Sequence, residues 1–138
     1  MTKILTFKKR KDFLRVAQGF HVATHNMVLQ AAQILSGSAD NIMVGYTTTK
    51  RIGNAVVRNK SRRRLRAIVR EVLQTYALPQ VDYVFIARNT TASCCFKELR
   101  GDVVYAIKRI NKNFMMPQKE NGQNDAPLLQ ENSSAEGN

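Results

Sequence analysis

The chain has only two cysteines in 138 residues, and they are neighbours, Cys94 and Cys95. Adjacent thiols offer neither a disulfide framework nor the spaced ligand pairs of a zinc site, so packing is the role expected of them. The two histidines, His21 and His25, have no acid near them and make a poor metal constellation. No apolar run approaches the roughly 20 residues that cross a bilayer. The start, Met1 to Arg10, carries charges with no apolar segment after them, so no secretory signal is expected and the cytoplasm is the expected compartment. Acids are scarce and scattered: Asp12, Asp40, Glu71, Asp82, Glu98 and Asp102 stand singly through residues 1–116. A two-metal nuclease needs acids that converge on divalent ions, and a metal-free one needs an acid–base pair. Neither is written in the sequence, nor is a Gly-rich phosphate loop before a helix or a Ser/His/Asp triad spacing. These absences point away from catalysis by the protein's own side chains.

What the chain does have is positive charge in one place. Residues 50–70 hold nine Lys or Arg and no Asp or Glu, within a formal net charge of +12. Residues 117–138 hold one Lys and four acids, which leaves 21 bases against 6 acids in residues 1–116. A solvated helical face usually interleaves both signs, because like charges one turn apart weaken a helix. A polyanion that neutralises the field is the commonest reason to keep it, and nucleic acid is the first candidate. A generic solvated basic helix and an anionic membrane surface are the alternatives.

At this length a single domain is expected over residues 1–116. Residues 8–18 read as a short amphipathic helix with Phe13, Leu14 and Ala17 on one side and Gly19 as its stop. Residues 20–35 alternate as in a strand, with Met27, Leu29 and Ala31 on one face and Val28, Gln30 and Ala32 on the other. Residues 36–41 have turn composition, and residues 42–49 are rich in β-branched side chains and read as a strand. A helix is predicted from an Asn54 cap to Tyr76 or Ala77, ended by Pro79. Its apolar positions, Leu65, Ile68, Val69, Val72, Leu73 and Tyr76, recur at helical spacing only in its second half. The first half must therefore overhang the core, with Lys60, Arg63, Arg64, Arg66 and Arg70 fanned outward. Residues 81–88 read as a strand buried on both faces. A last helix follows, with Phe96, Leu99, Val103, Ile107, Ile110 and Phe114 on one face, where Gly101 suggests a close approach. Past Pro117 the composition is too polar to offset the entropy of ordering, so residues 117–138 are expected to be a disordered polar tail.

The string Lys50-Arg51-Ile52-Gly53-Asn54-Ala55-Val56-Val57-Arg58-Asn59-Lys60-Ser61-Arg62-Arg63-Arg64-Leu65-Arg66 resembles the bacterial ribonuclease P protein family. That family carries a Gly-Asn-Ala-Val-x-Arg-Asn core followed by basic residues, on a helix reached by a strand that ends in Ser/Thr-Lys-Lys. Here the approach is Thr48-Thr49-Lys50-Arg51, and Asp12-Phe13 and Ile86-Ala87-Arg88 also look like family positions. The resemblance, over residues 5–113, implies a small α+β domain of α-β-β-α-β-α order, a sheet with helices packed on it and an unusual left-handed β-α-β crossover. It implies that the catalyst is a partner RNA holding Mg²⁺, which removes the 5′ leader of precursor tRNA by phosphodiester hydrolysis, with no obligate protein partner. Carried over by position, the RNA-docking residues are Lys50, Arg51, Asn54, Arg58, Asn59, Lys60, Arg62, Arg63 and Arg66. The leader cleft, between the first helix and the sheet, takes Phe13, Ala17, Met27 and Gln30. Family members often have aromatics where this chain has Ala17 and Gln30. The competing reading is a non-catalytic RNA-binding or ribosome-assembly protein with a similar basic helix.

Overall fold

The computed structural model describes residues 3–6, 9–33, 41–78 and 80–115. The expected loop over 36–41, except Asn41, and the expected tail over 117–138 lie outside the described residues. In chain order the elements are β1 (Lys3–Thr6), α1 (Arg10–Ala17), β2 (Phe20–Ala23), β3 (Met27–Gln33), β4 (Asn41–Thr47), a 3₁₀ turn (Lys50–Ile52), α2 (Ala55–Tyr76), β5 (Val81–Ala87) and α3 (Phe96–Met115). One sheet of order β1-β4-β5-β3-β2 results. β1, β4 and β5 are parallel, while β3 runs antiparallel to both β5 and β2. α2 joins the parallel neighbours β4 and β5 as the connection of a β-α-β unit.

The α+β class and the three helices agree with the sequence reading, and two short strands extend it. The stretch from residue 20 is a hairpin, β2 with β3, instead of one strand. Its turn contains neither Gly nor Pro. The Thr24 amide and hydroxyl both donate to the Met27 carbonyl, at 2.8 and 3.0 Å, and so close it. β1 is four residues long and lies at an edge against β4, too short for periodicity to reveal.

The two faces of the sheet bury different amounts. On one, Leu29, Ala31, Val44, Tyr83 and Phe85 meet α2 and α3 in the main core, where Leu65, Ile68, Val69, Val72 and Leu73 of α2 are buried. Each such side chain stabilises the fold by about 1.5–3 kcal/mol. On the other face the shorter α1 packs Val16 and the half-buried Phe13 over Val84 and Ile86. The expected α1 face is corrected here, since Leu14 is 52 % exposed and Ala17 is exposed. The i, i+3 pair Phe13 and Val16 carries the contact instead. β5 is buried on both faces, including one charge, Asp82. Its carboxylate accepts hydrogen bonds from the Arg15 guanidinium and, at 3.3 Å, from the Met43 amide, which pins α1 to the sheet. Leaving such a buried charge unpaired costs about 3–5 kcal/mol.

Two further expectations change. A Cβ built on Gly101 meets nothing within 4 Å, and the residue is exposed, so no neighbour among the described residues requires this glycine. Its cost in mid-helix, about 1 kcal/mol against Ala, has no return in packing. Cys94 packs on the core as expected, but Cys95 is exposed just before α3. There the backbone amides of Glu98 and Lys97 hold its thiol below the ordinary pKa.

The end of α2 is fixed by a buried polar chain. The Tyr83 hydroxyl donates to Asn111 Oδ1 at 2.7 Å and accepts from the Leu78 amide at 3.1 Å, while Asn111 Nδ2 donates to the Tyr76 carbonyl at 2.7 Å. Burial pushes Tyr83 and Tyr46 up to about 12. The folded state thus holds these protons more tightly than the unfolded state does. Their contribution is complete below the unfolded value of about 10 and is lost as pH rises through about 12. Phenolate absorbance should therefore show a component titrating near pH 12, which Tyr46→Phe diminishes. Leu65→Ala should destabilise the fold by about 2–4 kcal/mol in urea denaturation, through the cavity left under α2.

Candidate nucleic-acid interface

The approach to α2 is shaped by Gly53. Its φ of 147° lies where side chains are rarely tolerated, and a Cβ there would stand 2.8 Å from the Val57 Cβ. The chain turns at this point, and Asn54 caps α2 by accepting the Val57 amide at 3.0 Å. Lys50 and Arg51, exposed on the 3₁₀ turn, stand just before this helix N-terminus, whose free amides and dipole favour anions.

Beyond the cap the cations divide. Asn59, Lys60, Arg63 and Arg66 are exposed, whereas Arg58 and Arg62 are half-buried. Arg62 donates to Thr48 Oγ1 at 2.7 Å and to Asn59 Oδ1 at 3.2 Å, and Arg66 lies 5.5 Å over the Tyr46 ring. Arg58 Nε is enclosed and has no hydrogen-bond partner among the described residues. Ser61 is fully buried, its hydroxyl donating to the Val57 carbonyl at 2.9 Å, so the helix touches the protein earlier than its apolar stripe implied. All nine expected docking residues lie on the 3₁₀ turn, at the Asn54 cap or in the first twelve residues of α2. They form one surface without a carboxylate ion pair among the described residues.

Arg64 is the exception on this helix. Its two terminal nitrogens donate to the Thr91 and Cys94 carbonyls, both at 2.7 Å, and its guanidinium lies 5.5 Å over Phe96. Helical spacing predicts it to fan outward, but it turns toward α3 and clamps the β5–α3 connection. That connection continues the network: Thr90 donates to Asn26 Oδ1 at 2.6 Å, Thr91 to the Asn26 carbonyl, and Arg88 to the Thr24 carbonyl at 3.0 Å. The basic helix is thereby tied to the β2–β3 turn.

On the α1 side, strand alternation decides which cleft residues can meet. Gln30 faces α1, beside His21 and Val84 in register, while Phe13 packs near it and Ala17 is exposed at the helix end. Met27 is corrected: it is 0 % exposed and points into the main core on the opposite face. Its neighbour Val28 takes the α1-side position, in register with Ile86 and Ala23. The alternation of β3 already separates positions 27 and 30, and that signal was present in the sequence.

Four of the six acids of residues 1–116 are engaged elsewhere. Glu71 accepts from Arg100 at 2.8 Å, which holds its carboxyl below the usual value, and Asp82 is held by Arg15. Glu98 and Asp102 both accept from Asn26 Nδ2, at 3.0 and 2.9 Å. Among the described residues no group of three or more His, Cys, Asp or Glu is placed to hold a metal ion. The pair Glu98 and Asp102 is turned toward the Asn26 amide hydrogens, a donor unlike a metal ion.

A small α+β domain whose helix N-terminus, guanidinium fork donors and exposed lysines make one acid-free surface defines a basic nucleic-acid-binding protein. A family model described as Ribonuclease P matches residues 1–111. The ribonuclease P protein component of Ruegeria pomeroyi is 39% identical over 109 residues, covering 78% of this chain and 87% of that protein. That of Paramagnetospirillum magneticum is 43% identical over 107 residues, covering 75% of this chain and 80% of that protein. The solved structure of the Staphylococcus aureus RNase P protein superposes with a TM-score of 0.64 at 26% identity, over 75% of this chain and 93% of that one. The chain belongs to the bacterial ribonuclease P protein family, and an RNase P RNA is the partner that membership implies.

Arg64→Ala should weaken RNA binding and lower stability by about 1–3 kcal/mol, since charge-assisted hydrogen bonds are lost. The slope of log affinity against log salt should stay at the parent value, because no phosphate contact is removed. Filter binding over a salt series, alongside urea denaturation, checks both.

Proposed function

We propose that this chain is the protein subunit of ribonuclease P and assists Mg²⁺-dependent endonucleolytic removal of the 5′ leader from precursor tRNA, in the cytoplasm. The supporting observation is the acid-free surface from Lys50 to Arg66, held in position by neutral partners, in a chain of this family. In this reading Lys50, Arg51, Asn54, Arg58, Asn59, Lys60, Arg62, Arg63 and Arg66 dock on the catalytic RNA. Arginine suits this work because its planar fork makes two parallel hydrogen bonds to phosphate oxygens. Asn54 and Asn59 add contacts to ribose hydroxyls or base edges.

The face between α1 and the sheet takes the single-stranded leader through Phe13, Ala17 and Gln30. Val28 offers the apolar surface that position 27 was expected to give. With no aromatic at 17 or 30, the grip lacks the stacking that contributes about 1–3 kcal/mol per base. Mg²⁺ is held by the partner RNA and supplies the electrophilic assistance that phosphodiester hydrolysis needs. The protein binds, orients and neutralises phosphate charge.

Protein alone should leave precursor tRNA intact, and protein with its RNA and Mg²⁺ should cut at the mature 5′ end at low ionic strength. Metal-dependent cleavage that survives removal of all RNA would overturn the proposal. Arg58→Ala and Arg63→Ala should each lower RNA affinity and flatten the salt slope by about 0.7–0.9, one phosphate contact. Recovery of ribosomal RNA alone in a pull-down would favour the assembly-protein reading instead.

A further inference from the structure

Leu65 is the first buried apolar side chain of α2. Residues 55–64, about 15 Å of helix at 1.5 Å per residue, carry docking cations and extend beyond it. Polar contacts steady this overhang from two sides. On one, Arg62 donates to Thr48 Oγ1 at 2.7 Å, just past the end of β4. On the other, Arg64 donates to the Thr91 and Cys94 carbonyls, both at 2.7 Å, in the β5–α3 connection.

The second contact leads to Asn26. Thr91, itself fully buried, donates its hydroxyl to the Asn26 carbonyl. The Asn26 side chain is 0 % exposed and wholly engaged: Nδ2 donates to Glu98 at 3.0 Å and to Asp102 at 2.9 Å, and Oδ1 accepts from Thr90 at 2.6 Å. One residue thus joins the β2–β3 turn to the β5–α3 connection and to α3. β3 starts at the next residue, and Val28 and Gln30 are positions it turns toward α1. Asparagine suits this place chemically. An aspartate would set a third carboxylate against Glu98 and Asp102, and an apolar side chain would leave the Thr90 hydroxyl and both carboxylates without this partner.

A path of hydrogen bonds therefore runs from Arg64 on α2 through Thr91 and Asn26 to the start of β3. With catalytic RNA held at the α2 end and the leader at the β3 end, the leader is aimed only as accurately as the two ends are fixed to each other. A displacement of about 1 Å at a reacting group can cost on the order of 10²-fold in rate. A buried polar network with every member satisfied is rigid enough for such a joint.

We propose that Asn26 is a positioning residue for leader removal, fixing the leader face of β3 against the half of α2 that docks on the catalytic RNA. Fully buried, it touches no RNA itself and acts through Val28 and Gln30. The inference rests on the leader and docking assignments above.

Holoenzyme would be assembled from full-length protein, catalytic RNA and Mg²⁺, and given precursor tRNA or the same tRNA without its leader. Asn26→Ala should slow single-turnover cleavage of bound precursor about tenfold. It should also lower the preference for precursor over leaderless tRNA by about threefold or more. Affinity of the protein for catalytic RNA should stay within about twofold of the parent, since every docking cation remains. Asn26→Asp should show the same losses. Asn26→Asp/Glu98→Gln/Asp102→Asn, which returns amide donors to face a single carboxylate, should recover most of the rate and the preference. Thr90→Val removes one bond of the set and should move both the same way by a smaller factor, which serves if Asn26→Ala does not fold. A lowered melting temperature with parent rate and preference, at a temperature where the variant is folded, would overturn the inference, because a purely structural residue behaves so. A rescue set that regains the melting temperature alone would overturn it as well. Val28→Ala/Gln30→Ala separates the two readings. Parent preference in that variant overturns the leader assignment and this inference with it, whereas a lowered preference there beside parent preference in Asn26→Ala overturns this inference alone.

Discussion

Nine cations with no acid between residues 50 and 70 repel one another along the 3₁₀ turn and α2, and the helix forms because it is held from its other half. Leu65, Ile68, Val69, Val72 and Leu73 are buried against Tyr83 and Phe85, and several such side chains outweigh like-charge pairs that each cost only about 0.2–0.5 kcal/mol. The side chains that need fixing are fixed by neutral groups: Arg62 by the Thr48 hydroxyl, Arg64 by two carbonyls, Arg66 by the Tyr46 ring. Carboxylates would orient them equally well and cancel the field. Hydroxyls, carbonyls and π faces orient them and leave the positive potential for a polyanion.

The same separation runs through the sheet. The face toward α2 and α3 holds nearly all of the apolar core. Among the described residues the face toward α1 is covered by that one short helix, secured by Val16 and by the ion pair of Arg15 with buried Asp82. Because α1 covers little of that face, Val28, Gln30 and Ile86 stay partly accessible beside it. A stable face and an open face come from the two sides of the same strands, as alternation dictates.

Much of this was legible in the sequence wherever a long periodic pattern or a named cap was present. The 22-residue α2, its Asn54 cap and its end at Tyr76 follow from apolar spacing and a hydrogen-bond acceptor in the right place. β5 follows from a near-continuous apolar run. The hairpin before β3 did not, because Thr24 forms its turn without Gly or Pro. Arg64 did not, because its partners are backbone carbonyls 27 and 30 residues away, which leave no residue-type signature. Family position places Met27 in the cleft, whereas strand alternation puts it on the face opposite Gln30, where the structure has it. Gly101 has a visible cost in the sequence, but the close approach it suggests is not found among the described residues.

The central claim is that α2 is divided along its length, one part for RNA and one for the core. Arginine- and lysine-directed labelling, read residue by residue by mass spectrometry on the protein free and bound to its RNA, tests this most directly. The account expects Lys50, Arg51, Arg58, Lys60 and Arg63 to be shielded in the complex, with Arg15 and Arg100 reacting as in the free protein. Equal reactivity of the α2 cations in the free and bound states would contradict it.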